Sequence, residues 1–230
     1  MHREHFTKQA KLADIVAGNR NIILVLPRFN IELGFGEKSV EEVCKAHNVD
    51  IDMFLLICKI YAFESYVPEK EELEGIKIEA MLKYLKASHI YYIESRIPHI
   101  GRHLEHLAEL LPERDGKLLK RFYKEYQNEV KSHFEFEEEI VFPYITNLAQ
   151  GVKSDSFTIE TFEENHSNIE DKLSDLKSII IKYLPGGVLQ EERISVLFHL
   201  FRLSEDLEKH TLIEDKILAP YVELLENEIA

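Results

Sequence analysis

From about residue 76 onward, apolar side chains recur at alternating intervals of three and four positions. Ile78, Leu82, Leu85, His89 and Tyr92 form one such series, and Leu119, Phe122, Tyr126, Val130, His133, Glu137, Ile140 and Tyr144 form a second. Phe162, His166, Ile169, Leu173, Leu176, Ile180 and Tyr183 make a third; Val196, Leu200, Leu203, Leu207, His210, Glu214, Ile217 and Tyr221 make a fourth. This spacing keeps side chains on one face of an α-helix, so each series predicts the core-facing seam of an amphipathic helix. Turn-forming stretches separate them at Pro112 to Gly116, Gly151 to Asp155 and Pro185-Gly186-Gly187. Short connections make successive helices antiparallel neighbours, and the expected fold is all-α, an up-down-up-down four-helix bundle. Pro98, Pro143 and Pro220 fall inside these patterns and are expected to kink or interrupt their helices, because proline lacks the N–H and clashes with the preceding turn.

The first 68 residues read differently. Asp14 to Gly18 predicts the end of a short helix closed by Gly18, Asn19 to Phe29 a second, and Gly34-Phe35-Gly36 a turn. Ser39 followed by Glu42 is a capping box for the next helix, and Asp50 to Tyr61 supplies a last apolar one. The composition shifts near Val67 to Gly75, where Pro68 precedes the charge run Glu69-Lys70-Glu71-Glu72, expected to be solvated. The expected organisation is a small helical domain over 1–68 and the bundle over 76–228.

Composition narrows the classes. At 230 residues and 45% hydrophobic content the chain can bury a sizeable core. Cys44 and Cys58 are its two cysteines and are expected to pack as small hydrophobes; no disulfide framework or export signal is apparent, which points to a cytoplasmic setting. The most apolar stretch, Met53 to Phe63, is interrupted by Lys59 and too short to cross a bilayer, so no membrane association is expected. The net charge of −14 is concentrated after residue 68, where 33 acidic side chains face 20 basic ones, and such a surface repels nucleic acid.

A repeat of chemically active residues lies within the seams. His133, Glu137 and Pro143 recur 77 residues later as His210, Glu214 and Pro220, and His89 and His166 share that offset. A single His-x-x-x-Glu on a helix marks no more than a surface ion pair or a hydrogen-bonded core pair. Here two such pairs and two further histidines share one offset and sit on core-facing positions, where an uncompensated carboxylate costs several kcal/mol. Counting from the turns at about 1.5 Å per residue brings all six to one layer of the bundle. Two carboxylates able to bridge and four imidazoles make a symmetric dinuclear metal site feasible: His89 and His133 on one ion, His166 and His210 on the other, Glu137 and Glu214 bridging. Tyr92, Tyr126, Phe136, Phe162 and Ile213 are candidates to line access to it, the alternative being ordinary core positions. His99, His103 and His106, with Glu105 or Glu109, form another histidine-rich face about 20 Å away along the helix, expected to be solvated or packed because Arg96 and Arg102 oppose a cation there.

The motifs Ser88-His89-Ile-Tyr-Tyr92, His133-Phe-Glu-Phe-Glu137-Glu-Glu-Ile-Val-Phe-Pro143, Glu164-Asn-His166 and His210-Thr-Leu-Ile-Glu214-Asp-Lys-Ile-Leu-Ala-Pro220 resemble hemerythrin-like HHE cation-binding domains over about residues 76–225. They are most similar to the branch known as RIC, repair of iron centres, which uses four histidines and two glutamates. The stretch from Leu12 through Cys44 is similar to the small domain that precedes the bundle in those proteins, with Gly34 and Phe35 standing where that domain carries adjacent cysteines. The resemblance implies two iron ions in an oxo- or hydroxo-bridged centre. It also implies a role in repairing iron–sulfur clusters under nitrosative or oxidative stress, by iron donation or by chemistry with NO or peroxide. A hemerythrin-like sensor or store of O2 or NO without turnover is the alternative, and a metal-free structural His/Glu network a third. Iron–sulfur proteins are the expected macromolecular partners, and a second copy of the chain is a further expectation.

Overall fold

In a computed structural model of the chain, residues 6–63, 66–152, 168–186 and 189–229 are described. Their regular structure is helical, and no strand occurs among them; an isolated antiparallel bridge joins Lys11 to Ser39. The helices are α1 (Leu12–Gly18), α2 (Val40–Ala46), α3 (Ile51–Ala62), α4 (Lys70–Glu74), α5 (Ile78–Ile90), α6 (Ile97–Leu110), α7 (Glu113–Phe136), α8 (Phe142–Ala149), α9 (Asn168–Ser178), α10 (Gln190–Ile213) and α11 (Ala219–Ile229). No helix among the described residues is long and apolar enough to cross a membrane. The chain forms two compact units, one of Met1–Ser88, Thr146–Lys153 and Leu212–Ala230, the other of His89–Ile145 and Ser154–Thr211.

The second unit is a four-helix bundle. Its core joins Ile100, Leu104 and Leu107 of α6 to Leu119, Tyr126 and Val130 of α7, Leu173 and Leu176 of α9, and Val196, Leu200 and Leu203 of α10. These lie on the predicted seams or, in α6, on their continuation. Cross-links define the helix directions. The Tyr123 hydroxyl donates to the Ile97 carbonyl at 2.6 Å, Tyr92 to Asp206 at 3.1 Å, and Arg96 to His199 at 3.2 Å. Lys177 reaches Ser204 at 3.0 Å while Thr211 faces Glu170 at 3.4 Å. Thus α6 is antiparallel to both α7 and α10, and α9 to α10, which gives the up-down-up-down order. The α6–α7 turn is tight enough that Gly116 packs on the backbone of Ala108, where an added Cβ would meet the carbonyl oxygen at 2.2 Å.

The prolines interrupt the α-helical pattern, as expected, without ending the helical run. Helices are not broken at Pro98, Pro143 or Pro220; instead a π-helical segment precedes each, at Tyr91–Arg96, Glu137–Val141 and Glu214–Leu218. The residue just before each proline donates its N–H five residues back: Ile97 to Tyr92, Phe142 to Glu137, Ala219 to Glu214. The wider turn makes room for the ring that would otherwise strike the carbonyl four residues earlier. A fourth π segment, Ile179–Tyr183, ends the same way with Leu184 before Pro185. Each extra residue also shifts the buried stripe by one position. Hence Ile140 and Tyr183, expected in the seams, are 46% and 76% exposed, whereas Val141 and Ile145 are buried.

In the first unit the capping box is present, with Ser39 Oγ accepting from the Glu42 N–H at 3.2 Å and the Glu42 carboxylate accepting from the Ser39 N–H at 2.8 Å. Asp50 caps α3, whose Phe54, Ile57 and Ile60 are fully buried. Gly34 and Gly36 adopt φ of +101° and +63°, which explains glycine at both ends of that turn. The predicted helix over Asn19 to Phe29 is instead two 3₁₀ turns, Arg20–Leu24 and Leu26–Phe29. Pro27 withholds an N–H and the branched Ile22, Ile23 and Val25 crowd a regular α turn, so the shorter i→i+3 bonding wins. The charge run at 69–72 opens α4 with Glu69 and Glu71 exposed as expected, while Glu72 is half-buried and held by Lys59 at 2.6 Å.

Gly116→Ala should lower stability by about 3 kcal/mol through overpacking, read as a lower urea midpoint; an unchanged midpoint would refute the close approach. Cys44 and Cys58 are free and buried, and burial raises the Cys44 thiol from 9.0 to about 12. The linked stability is therefore fully present below the unfolded thiol's pKa and is lost as pH rises through the window from there to about 12, where only the unfolded chain ionises. A thiol reagent at pH 8 should label neither cysteine in the native protein and both in denaturant.

Candidate metal centre

The bundle unit brings four of the six predicted ligands together. His89, on the last turn of α5, is 2% exposed and directs Nε2 at Glu137 Oε2, 3.1 Å away. His133, near the end of α7, directs its own Nε2 at the other oxygen of Glu137 at 3.0 Å. His210 of α10 is 2% exposed and places Nε2 3.3 Å from that of His89. One ligand atom from each of His89, Glu137 and His210 lies within 4.8 Å of the others.

Glu214 follows His210 by one turn along the same helical run, where the π segment Glu214–Leu218 continues α10, and it is fully buried. Residues four apart share a helix face, so its carboxylate and the His210 ring project from the same side. His166 lies outside the described residues.

The donor set fits a metal ion. Glu137 is fully buried and presents its two oxygens to two different imidazoles, the disposition a bridging carboxylate needs. Spacings of 3.0 to 3.3 Å between donor atoms match those between ligands about 2.1 Å from a shared ion. Neutral imidazole and carboxylate suit iron as well as zinc or copper. Burial of Glu137 argues the same way, since an ionised carboxylate inside a protein requires positive charge or strong donors close by.

Several supporting groups are not apparent in the helical pattern. Glu138 Oε1 accepts from His89 Nδ1 at 2.8 Å, which leaves the Nε2 lone pair facing the cluster and fixes the ring plane. Phe134 stacks on the His89 ring at 4.1 Å and 10°, and Phe142 lies 5.6 Å from it at 16°. Among the suggested lining residues, Tyr92 does take part, its ring 5.7 Å from His210. Tyr126 packs on Tyr123 in the core, Phe136 is only half-buried, Ile213 is buried, and Phe162 lies outside the described residues. The clue to Glu138 in sequence is its place in the run Glu137-Glu138-Glu139. Periodicity assigns that position to the helix flank, and only the arrival of α5 beside it gives it a partner. A pocket of about 220 Å³ opens beside this pair, lined by His89, Ile90, Ile93, Phe134, Glu138 and Glu139 among others.

The chain matches the hemerythrin HHE cation-binding domain over residues 99–222. That stretch includes His133, Glu137, His166, His210 and Glu214 and begins after His89. No curated protein matches the chain.

The Glu138–His89 pair carries a prediction. Glu138→Gln should weaken metal binding by about 10- to 100-fold, as measured by titration against a competing chelator, while Glu139→Gln on the exposed neighbouring position should leave it unchanged. Equal affinity of Glu138→Gln and the unmodified protein would remove Glu138 from the centre.

Proposed function

Because this chain belongs to the hemerythrin HHE cation-binding domain family, we propose that it is a non-haem di-iron protein of the iron–sulfur cluster repair type. It would act under nitrosative or oxidative stress by iron donation or by chemistry with NO or peroxide. The observation that carries the reading is the buried convergence of His89, His133 and His210 around Glu137, each carboxylate oxygen facing the Nε2 of a different imidazole. In this proposal Glu137 and Glu214 bridge two irons; His89 and His210, whose Nε2 atoms lie 3.3 Å apart, serve one and His133 with His166 the other, in place of the His89–His133 pairing that the repeat suggested, because His89 and His133 face different oxygens of Glu137.

Iron held there supplies redox chemistry and coordination positions for small oxygen or nitrogen species. The protein's own part is local. Glu138 orients His89 and keeps its proton on Nδ1, Phe134 and Tyr92 shield the imidazoles from bulk water, and the pocket at His89 has room for a diatomic molecule or peroxide. A cytoplasmic setting fits the two unpaired thiols, and iron–sulfur proteins are the proposed partners.

The second reading is O2 or NO binding without turnover. It is favoured by Gly34 and Phe35 at the turn where the similar repair proteins carry adjacent cysteines, because no neighbouring thiol pair is there to assist electron or disulfide exchange. The two readings separate by whether iron-loaded protein restores an inactivated cluster enzyme or only binds its gas reversibly.

Metal analysis of untagged protein should find about two irons per chain, with charge-transfer absorption from the bridge. His133→Ala or Glu214→Ala should lose one or both irons. A folded protein that takes up no iron would overturn the di-iron reading, and variants that retain both would overturn the ligand set.

A further inference from the structure

Histidines also meet elsewhere in the bundle unit, on the side where α6 and α10 pack. His99 and His103 stand one turn apart on α6, with ring centroids 4.8 Å from each other. His199 of α10 completes a triangle, 4.9 Å from His99 and 4.6 Å from His103. A ligand nitrogen from each ring lies within 4.8 Å of the others, and all three residues are half-buried. Ten residues of helix separate His99 from His89, about 15 Å of axial rise, so this group is distinct from the Glu137 centre.

The sequence suggested His106, Glu105 and Glu109 as companions of His99 and His103. The third imidazole comes instead from another helix, and its backbone is anchored there by the bond from Arg96 to the His199 carbonyl at 3.2 Å.

We propose that His99, His103 and His199 form a second metal site, which takes one nitrogen-preferring divalent transition-metal ion, Zn²⁺ or Cu²⁺, and leaves one coordination position to water. Three imidazoles from two helices are a complete protein ligand set for an open tetrahedral site. An ion bound at about 2.0–2.1 Å sets its ligand atoms roughly 3.3 Å apart, so the rings must close by at most about 1.5 Å, within reach of side-chain rotation. Two of the rings are also held in the neutral form. Burial, with the nearby Arg96, holds His199 down at about 4, and His99 is likewise lowered by burial and by His103. Both present lone pairs at neutral pH without displacing a proton.

Charge around the site is mixed. Arg96, Arg102 and Arg202 oppose a cation, and Arg102 sits 3.4 Å from His99 Nδ1, but it is exposed and free to swing outward. On the other side Glu191 and Glu192 line a pocket together with His103 and His106. An ion here would clasp the first helix of the bundle to the last.

The test uses the full chain, iron-loaded, dialysed with Zn²⁺ and then assayed for zinc content and melting temperature, with Cu²⁺ as a spectroscopic probe. The expected result is one zinc per chain beyond the iron centre, a raised melting temperature, and nitrogen hyperfine structure from three imidazoles on copper. His199→Ala and His103→Gln should weaken Zn²⁺ binding about tenfold or more, whereas His106→Ala should not. Zinc binding unchanged in His199→Ala, or no zinc retained by the unmodified chain, overturns the proposal. Because the readout is the difference between unmodified protein and His199→Ala at the same iron content, it stands whether or not the iron centre assembles as proposed.

Discussion

A carboxylate with no exposed surface stands in the middle of a four-helix core, and the rest of the bundle is arranged to tolerate it. Isolated, a buried ionised Glu137 would cost several kcal/mol. Its two oxygens face the Nε2 atoms of His89 and His133 at 3.1 and 3.0 Å, and His210 closes in behind His89 at 3.3 Å, a set of donors in which a bound cation would offset the charge. This demands that one turn of each of three helices, α5, α7 and α10, arrive at the same height with the correct face inward. The aromatic packing is subordinate to that demand: Phe134 and Phe142 both lie nearly parallel to the His89 ring and hold it in plane. Glu138 then settles which imidazole nitrogen is left for the centre.

The π segments belong to the same design. Glu137 opens one and Glu214 another, and in each the backbone carbonyl of the glutamate accepts the N–H of the residue that precedes a proline. The ligand-type side chain and the wide turn are therefore parts of one local structure. Since π turns are seldom stable without a reason, their placement at both buried carboxylates and just after His89 links backbone irregularity to the site. Proline six residues after each glutamate fixes where the irregularity ends, because the helix has no N–H to continue its ladder there.

The His99–His103–His199 cluster shows the complementary situation, a constellation whose members are separated by 96 residues and share no sequence repeat. Two of its members were visible as an i,i+4 pair. The third entered only because α10 runs antiparallel to α6 and brings His199 to the level of Arg96. The same logic applies to Glu138, which periodicity places on a helix flank and tertiary packing places against His89.

What the sequence by itself determined was everything carried by short-range periodicity. The seams over the described residues, the capping box at Ser39, and the His133–Glu137 and His210–Glu214 pairs all follow from spacings of three and four. Residues that close on one helix share a face whatever the remainder of the chain does. The structure decided what depends on helices meeting. It showed that Pro98, Pro143 and Pro220 are absorbed by π turns, so that Val141 replaces Ile140 in the core, and that the Asn19 to Phe29 stretch folds as 3₁₀ turns. It also brought Glu138 to His89, and His199 to His99 and His103. A one-residue insertion rotates everything downstream of it, and a partner on another helix leaves no trace in local spacing; only the folded packing resolves either one.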